Sequence, residues 1–336
     1  MQTGVTVIIP TRDRWNFLRR SLSMILAQTH DGPLEVIVVD DGSRDGTATK
    51  VGAIRDPRIK AIRNSTSVGV AGARNAGLDE ASHPWVAFCD DDDIWAIDKL
   101  ERQLAALRRA GDSEAWCAGA SVNVSNDWSA SGCTFPPPGT CIARAVLEGN
   151  CIPGGGSGVL ASTALVRRVG GFAPDLSLLA DWDLWIKLSL EAPFVPVQEL
   201  VLAYVHHEGS MSSRVEPFLH ELHRVRDKFA GERLRLGTTA AAFDVTSWMA
   251  SSLSREGRRV AALKLYLELA LETRRLDLAI PMAAAIGGPA LRARLSQLRS
   301  KDPAVVASAE AFISTLKEHL DAAQRATGLD GRDGRR

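Results

Sequence analysis

WVAFCDDDDIW, residues 85–95, decides how this chain is read. Trp85 to Cys89 is a short apolar run of the kind that forms a buried strand. Asp90, Asp91, Asp92 and Asp93 follow it directly, and Ile94 and Trp95 close behind them. Four adjacent carboxylates repel one another, and like charges this close raise pKa values unless a cation neutralises them. Mg²⁺ or Mn²⁺, hard ions that prefer oxygen ligands, would do so, and ions held this way usually hold phosphate oxygens as well. An isolated acidic run is most often a solvated turn. Apolar segments on both sides pin this one at the end of a buried strand.

The same pattern recurs upstream. Val5 to Ile9 is a β-branched apolar run ended by Pro10, with Thr11 and Arg12 after it. Leu34 to Val39 is a second apolar strand, ending in Asp40-Asp41-Gly42-Ser43, and a short strand is expected around Ile59 to Ile62. Between them Leu18, Leu22, Ile25 and Leu26 recur at helical spacing with Asp13 as the expected N-cap; helices are also expected over 47–55, after Gly69, and over 97–107. Strands alternating with helices predict an α/β fold with a mostly parallel sheet covered on both faces. Ligands of such sheets sit outside the carboxyl ends of the strands. Thr11 and Arg12, Asp40 and Asp41, and the aspartate run should therefore converge on one crevice.

Downstream, residues 125–140 are rich in proline and small polar residues and read as loop. Gly154 to Gly158 reads as a flexible stretch, followed by a strand over Val159–Val166, a helix over 183–191 and a strand over Phe194–Tyr204. From Glu216 the texture turns to Ala, Leu and Arg at helical spacing. Leu263, Tyr266, Leu267, Ala270 and Leu271 share one helical face, expected to pair with 278–297. The resulting division is 1–215 for the α/β domain, 216–327 for a C-terminal α-helical extension, and 328–336 for a frayed tail.

Composition narrows the classes. With 336 residues, 45% of them hydrophobic, a sizeable core is available. Forty basic residues balance forty acidic ones, which speaks against a nucleic-acid binder. Five scattered cysteines without a CxxC pair suggest neither a zinc site nor a disulfide framework, and fit a reducing cytoplasm. Met1 to Pro10 lacks the pattern of a signal peptide, and no run of eighteen apolar residues predicts a membrane span. Peripheral contact with the inner face of a membrane stays open.

Together these blocks resemble the family 2 glycosyltransferases, which have the GT-A fold. The resemblance is carried by VTVIIPTRDRWNFLRRSLSMILAQT, LEVIVVDDGSRDGT, GVAGARNAGLDEASHPWVAFCDDDDIWAIDKLERQ, VGGF and DWDLWIKL, in the family's order over about residues 4–215. It implies an inverting, metal-dependent transferase that moves a sugar from a UDP- or dTDP-linked donor to a hydroxyl acceptor, in synthesis of a polysaccharide or other glycoconjugate.

Residue by residue, the resemblance implies a nucleotide pocket from Pro10, Thr11 and Arg12, with Asp41 accepting from the imide N–H of the base. It lays the Asp-x-Asp motif on Asp90, Asp91 and Asp92, with Asp92 on the metal and the other two at the ribose or behind the ligand. Arg74 matches an arginine near the diphosphate, and Lys99 matches a family lysine. Asp181 matches the general base, although the usually acidic position before it is Ala180 here; Asp183 is the fallback. His207 falls in a segment that closes over the donor near the metal. Gly155, Gly156 and Ser157 are expected in the wall between donor and acceptor, because glycine lets backbone approach a ligand.

The rival is a non-catalytic nucleotide-sugar-binding scaffold, to which the Ala180 departure gives room. An aspartyl phosphatase would need a downstream Thr or Ser and a Lys, where Ile94 and Trp95 stand; a nucleotidyltransferase would need a glycine-rich basic loop after the first strand. The acceptor class, which could be a saccharide or lipid-linked, is not encoded in any motif. The extension could form a homodimer, meet a membrane through Arg224, Arg226, Arg233 and Arg235, or cap the catalytic domain.

Overall fold

A computed structural model describes residues 3–111, 114–206, 215–238, 250, 253, 258–273, 282 and 303–329. The chain divides into two compact units: Met1–Ile142 with Ile152–His207 and Val306–Arg336, and Ala143–Cys151 with Glu208–Val305.

The first unit begins β1 (Val5–Thr11), α1 (Trp15–Leu26), β2 (Leu34–Asp40), α2 (Thr47–Ala53), β3 (Ile59–Arg63), α3 (Gly69–Glu80), β4 (Trp85–Phe88), β5 (Ile94–Trp95) and α4 (Lys99–Ala110). It continues with β6 (Trp116–Ser125) and β7 (Ala130–Thr134). The chain then enters α5 (Ile142–Glu148), which lies almost wholly in the second unit, and returns with β8 (Val159–Ser162), α6 (Thr163–Arg168), α7 (Ala180–Glu191) and β9 (Phe194–His206). The sheet order is β3-β2-β1-β4-β8-β6-β9-β5, with β7 on β6.

β3, β2, β1 and β4 are parallel, as the apolar, mostly buried runs of β1, β2 and β4 predict; β3 is the half-exposed edge strand. β8 then enters antiparallel to β4 and β6, and β5 and β7 are also antiparallel to their neighbours. The sheet is therefore mixed: β3, β2, β1 and β4 form a parallel block at one end, and β6 and β9 pair in parallel beyond β8. Helices cover both faces. Leu18, Leu22, Ile25, Leu100, Leu104 and Leu107 pack with Val5, Val7, Ile9, Val36 and Val38. On the other face α3 comes so close that a Cβ on Gly77 would lie 2.5 Å from Ile8 Cγ2. Trp185 of α7 stacks on Trp116 of β6 at 5.9 Å between ring centroids.

Several local expectations change. The strand expected over Val159–Val166 stops at Ser162, whose Oγ accepts from Leu165 N and caps α6. Residues 125–140 contain β7, a short hairpin partner for β6. Gly155–Gly158 is a 3₁₀ turn. Asp13 does not cap α1; it has φ 55° and its Oδ1 accepts from the amides of Arg44 and Asp45, which ties the loop after β1 to the loop after β2.

The second unit contains α8 (Val215–Lys228), α9 (Ala230–Leu236) and α10 (Arg259–Thr273). Among the described side chains of α10, Ala262, Leu265 and Tyr266 are buried, whereas Leu267 and Leu271 of the expected face are exposed. Its expected partner over 278–297 lies, apart from residue 282, outside the described residues. α11 (Pro303–Thr327) brings the chain back from Val306 into the first unit. Ala309, Ile313, Leu316, Leu320 and Ala323 pack against Met24, Ile94, Val122, Val124, Ala203 and Val205. Leu329 behind it is buried, and its carbonyl accepts from Arg19 at 3.0 Å. Among the described residues, no helix is long and apolar enough to cross a membrane.

Candidate active site

Register brings the three polar clusters together. Thr11 lies opposite Asp40 and Ile8 opposite Phe88, so the aspartate run leaves the sheet beside the ends of β1 and β2. Thr11 Oγ1 donates to Asp91 Oδ2 at 2.7 Å, and Asp41 N donates to Thr11 O at 2.8 Å. The run is a tight turn, with Asp93 N donating to Asp90 O. Ser21 of α1 holds it from behind, within 2.8 Å of the Asp91 carbonyl and 2.7 Å of the Asp93 carbonyl. Asp90 N donates to Ser157 Oγ, so the fully buried Ser157 anchors the run.

The charge problem posed by four carboxylates is met largely by the chain itself. Arg14 Nη1 lies 3.3 Å from Asp91 Oδ1 and 2.8 Å from Asp92 Oδ2. Arg74, buried on α3, is ion-paired with Asp90. Burial, followed by the charges of Asp92 and Asp90, pushes the Asp93 carboxyl well above the usual range, against the lowering effect of Ser157 and the Val205 amide. Burial and then Asp92 raise Asp91 to about 7, while Arg14 and Thr11 pull the other way. Two arginines and elevated carboxyl pKa values thus replace four bare charges.

Arg74 also joins the run to the candidate base. Burial disfavours its charge, but Asp90 and then Asp181 outweigh that and raise its pKa. Its guanidinium lies 5.0 Å from the Phe172 ring, which meets Phe88 edge to face. Gly155 and Gly156 are close to both groups. A Cβ on Gly155 would be 3.4 Å from Asp181 Oδ2, and one on Gly156 would be 3.0 Å from Arg74 Nη2. Asp181 is half-buried in the first turn of α7. The fallback Asp183 is fully buried and pairs at 3.0 Å with Lys187, which also donates to Gly171 O. That pairing gives Asp183 a structural partner within α7.

Asp41 is occupied by its own chain. Its Oδ1 accepts from Asn64 Nδ2 and Val68 N, and its Oδ2 from Ser67 Oγ and Gly69 N. Burial would raise its pKa, but these donors, led by Ser67, lower it. A carboxylate offers about four acceptor sites, so a base imide could be accepted only by exchange with a donor from the segment that starts α3. Pro10 is buried within β1. Arg12 points to Asp13, 3.9 Å away, and is exposed; Arg14, which no motif singled out, is the arginine on the aspartates. Its only sequence signal is a cation just ahead of α1. His207 lies outside the described residues.

Behind the site Lys99 is fully buried, with Nζ 3.8 Å from the Trp95 ring centroid and 2.7 Å from Gln103 Oε1. Gln103 Nε2 donates in turn to Gly158 O, bracing the glycine turn. Burial lowers Lys99 to about 7.

Among the described residues, no three His, Cys, Asp or Glu side chains cluster as a metal cage. The donor set still fits one mode of binding. Mg²⁺ and Mn²⁺ at nucleotide sites take one or two carboxylates and fill the remaining positions with phosphate oxygens and water. Asp92, with Asp90 close by in the turn, supplies oxygen donors of that kind.

Residues 6–145 match the family model described as Glycosyl transferase family 2. The chain is 41% identical over 103 residues to the Escherichia coli UDP-Glc:alpha-D-GlcNAc-diphosphoundecaprenol beta-1,3-glucosyltransferase WfgD, covering 31% of this chain and 40% of that one. It is 37% identical over 107 residues to the succinoglycan biosynthesis protein ExoO of Rhizobium meliloti, covering 32% and 30%. A longer match, 26% identical over 212 residues, covers 62% of this chain and 80% of the E. coli enzyme WfaP, which carries the same descriptive name as WfgD. The chain thus spans well under half the length of the first two relatives. The crystal structure of S. aureus TarS 1–349 with UDP-GlcNAc superposes with a TM-score of 0.55 at 19% identity, covering 97% of this chain and 88% of that one, a likeness of fold.

Proposed function

We propose, from the premise that residues 6–145 form a family 2 glycosyltransferase domain on a GT-A-like sheet, that this protein transfers a sugar from a UDP-linked donor to a hydroxyl acceptor with inversion at the anomeric carbon. The observation that carries the reading is Arg74, shared between Asp90 and Asp181 beside the Gly155–Gly156 turn. That neighbourhood supports reading Asp181 as the base and Arg74 as the cation that meets the diphosphate.

In this mechanism the acceptor oxygen attacks the anomeric carbon as the bond to the diphosphate breaks. An Asp181 carboxylate oxygen takes the acceptor's proton, a role worth about 10²–10⁴-fold in rate. The Arg74 guanidinium turns toward the diphosphate and stabilises the charge that develops there. The small Gly155 and Gly156 leave room for the sugar between these groups. A divalent ion on Asp92, assisted by Asp90, would supply Lewis-acid neutralisation of the diphosphate.

UDP as the nucleotide is supported by the names of WfgD and WfaP and by the ligand of the TarS complex. The same names support a diphosphate-lipid-linked saccharide as acceptor and polysaccharide assembly as the setting. The carboxylates and arginines of the cleft favour catalysis over a scaffold role. The reading is tested by incubating the protein with UDP-hexoses, Mn²⁺ and a diphosphate-lipid-linked GlcNAc, and measuring released UDP. Acceptor-dependent release supports it. No release with any UDP-hexose contradicts it.

A further inference from the structure

Arg14 precedes α1, and one of its nitrogens bridges Asp91 and Asp92. The turn that carries them is held from several sides: Ser21 reaches the backbone carbonyls of Asp91 and Asp93 on either side of Asp92, Thr11 reaches the Asp91 carboxylate, and the Asp91 and Asp92 side chains are only 5% and 14% exposed. The Arg14 side chain is 28% exposed and ends in a long, flexible stem. A divalent ion on Asp92 would therefore sit against a guanidinium that already holds the same oxygen. Two cations on one carboxylate repel unless a further anion joins them. A diphosphate is such an anion, and a guanidinium's fork of N–H donors matches phosphate oxygens.

We infer that Arg14 is an exchangeable counter-ion of the donor site: it holds Asp92 in the nucleotide-free protein, and passes its hydrogen bonds to the donor diphosphate when a divalent ion takes the carboxylate. The inference rests on the metal-and-nucleotide reading above. It adds that metal alone binds weakly because Arg14 competes for Asp92. Metal and nucleotide then bind cooperatively, and each raises the other's affinity by the same factor.

The test is Mn²⁺ binding followed by the electron paramagnetic resonance signal of free Mn²⁺, with and without UDP, for the parent, Arg14→Gln and Arg14→Lys. Without UDP, Arg14→Gln should bind Mn²⁺ about tenfold tighter than the parent, and the gain on adding UDP should shrink by about the same factor. Arg14→Lys keeps the charge and should stay within about threefold of the parent. Equal or weaker Mn²⁺ binding by a folded Arg14→Gln overturns the exchange. If that variant does not fold, Arg14→Lys decides: a tenfold gain there overturns the exchange and parent-like binding upholds it. Absence of Mn²⁺ binding by the parent even with UDP would instead remove the metal reading, and the exchange with it.

Discussion

The Thr11 hydroxyl donates to the Asp91 carboxylate at 2.7 Å, joining the end of β1 to a residue 80 positions later in the chain. With Arg14 on the other oxygen, this contact shows how the fold tolerates a buried acidic run. The compensation is incomplete, because burial and Asp92 still hold Asp91 at about 7.

That value fixes the sign of a pH effect. The folded protein keeps a proton on Asp91 up to about 7, whereas an unfolded aspartate releases it near 4. The folded state thus binds more protons between those values, and Asp91 costs stability as pH rises from about 4 to about 7. Asp91→Asn removes the titration. Its thermal midpoint relative to the parent should rise by several degrees between pH 4.5 and 7.5; a constant difference would contradict the assignment.

Lys99 gives a second pH signature of opposite sign. The unfolded lysine holds its proton to about 10.4, but the folded one releases it near 7. Parent stability should therefore gain a contribution as pH climbs from 7 toward 10. Lys99→Met lacks that gain and leaves Gln103 without its donor, at a cost of about 1–3 kcal/mol. Urea unfolding should show a larger deficit for the variant at pH 9 than at pH 6.5. Equal deficits would mean that Lys99 does not titrate in this range.

Gly156 is needed for the space it leaves. A Cβ there would lie 3.0 Å from Arg74 Nη2, so in Gly156→Ala the guanidinium that pairs with Asp90 must give by a few tenths of an ångström. Sugar transfer should fall about 10- to 100-fold, the scale on which misplaced groups act, with the thermal midpoint within a few degrees of the parent. Unchanged kcat/KM would show that Arg74 position does not matter.

α11 contributes to the stability of the first unit. Leu316 is 2% exposed and packs in the cluster that includes Val122, Val124 and Ala203. Leu316→Ala should cost about 2–5 kcal/mol in the unfolding transition of that unit. Loss confined to a separate transition, with the sheet unaffected, would contradict this packing.

How much of this was legible depends on the kind of signal. Strands buried on both faces are written as uninterrupted apolar runs, so β1, β2 and β4 and the meeting of their ends could be read directly. The antiparallel entry of β8 could not, because Val159–Ser162 is as apolar as a parallel strand and its direction depends on partners far away in sequence. β7 was hidden because its Ala-Ser-Gly-Cys-Thr has no apolar alternation. The motif blocks singled out Asp90, Asp92, Arg74 and Asp181 as candidates, but not which charge pairs with which. Arg12 and Arg14 are two residues apart and equally basic; only the backbone turn at Asp13, with positive φ, sends one to solvent and the other to the aspartates. Asp183 and Lys187 are one helical turn apart, so their pairing was readable as an i,i+4 contact, while the complete burial of Asp183 was not.

In the proposed reaction the Asp181 carboxylate of α7, whose charge acts on Arg74, receives the acceptor's proton. Single-turnover transfer from a UDP-hexose by Asp181→Asn, measured by rapid quench with donor and acceptor saturating, asks this directly. A rate about 10²–10⁴-fold below the parent with donor affinity kept is the expected result. Transfer at the parental rate would contradict it.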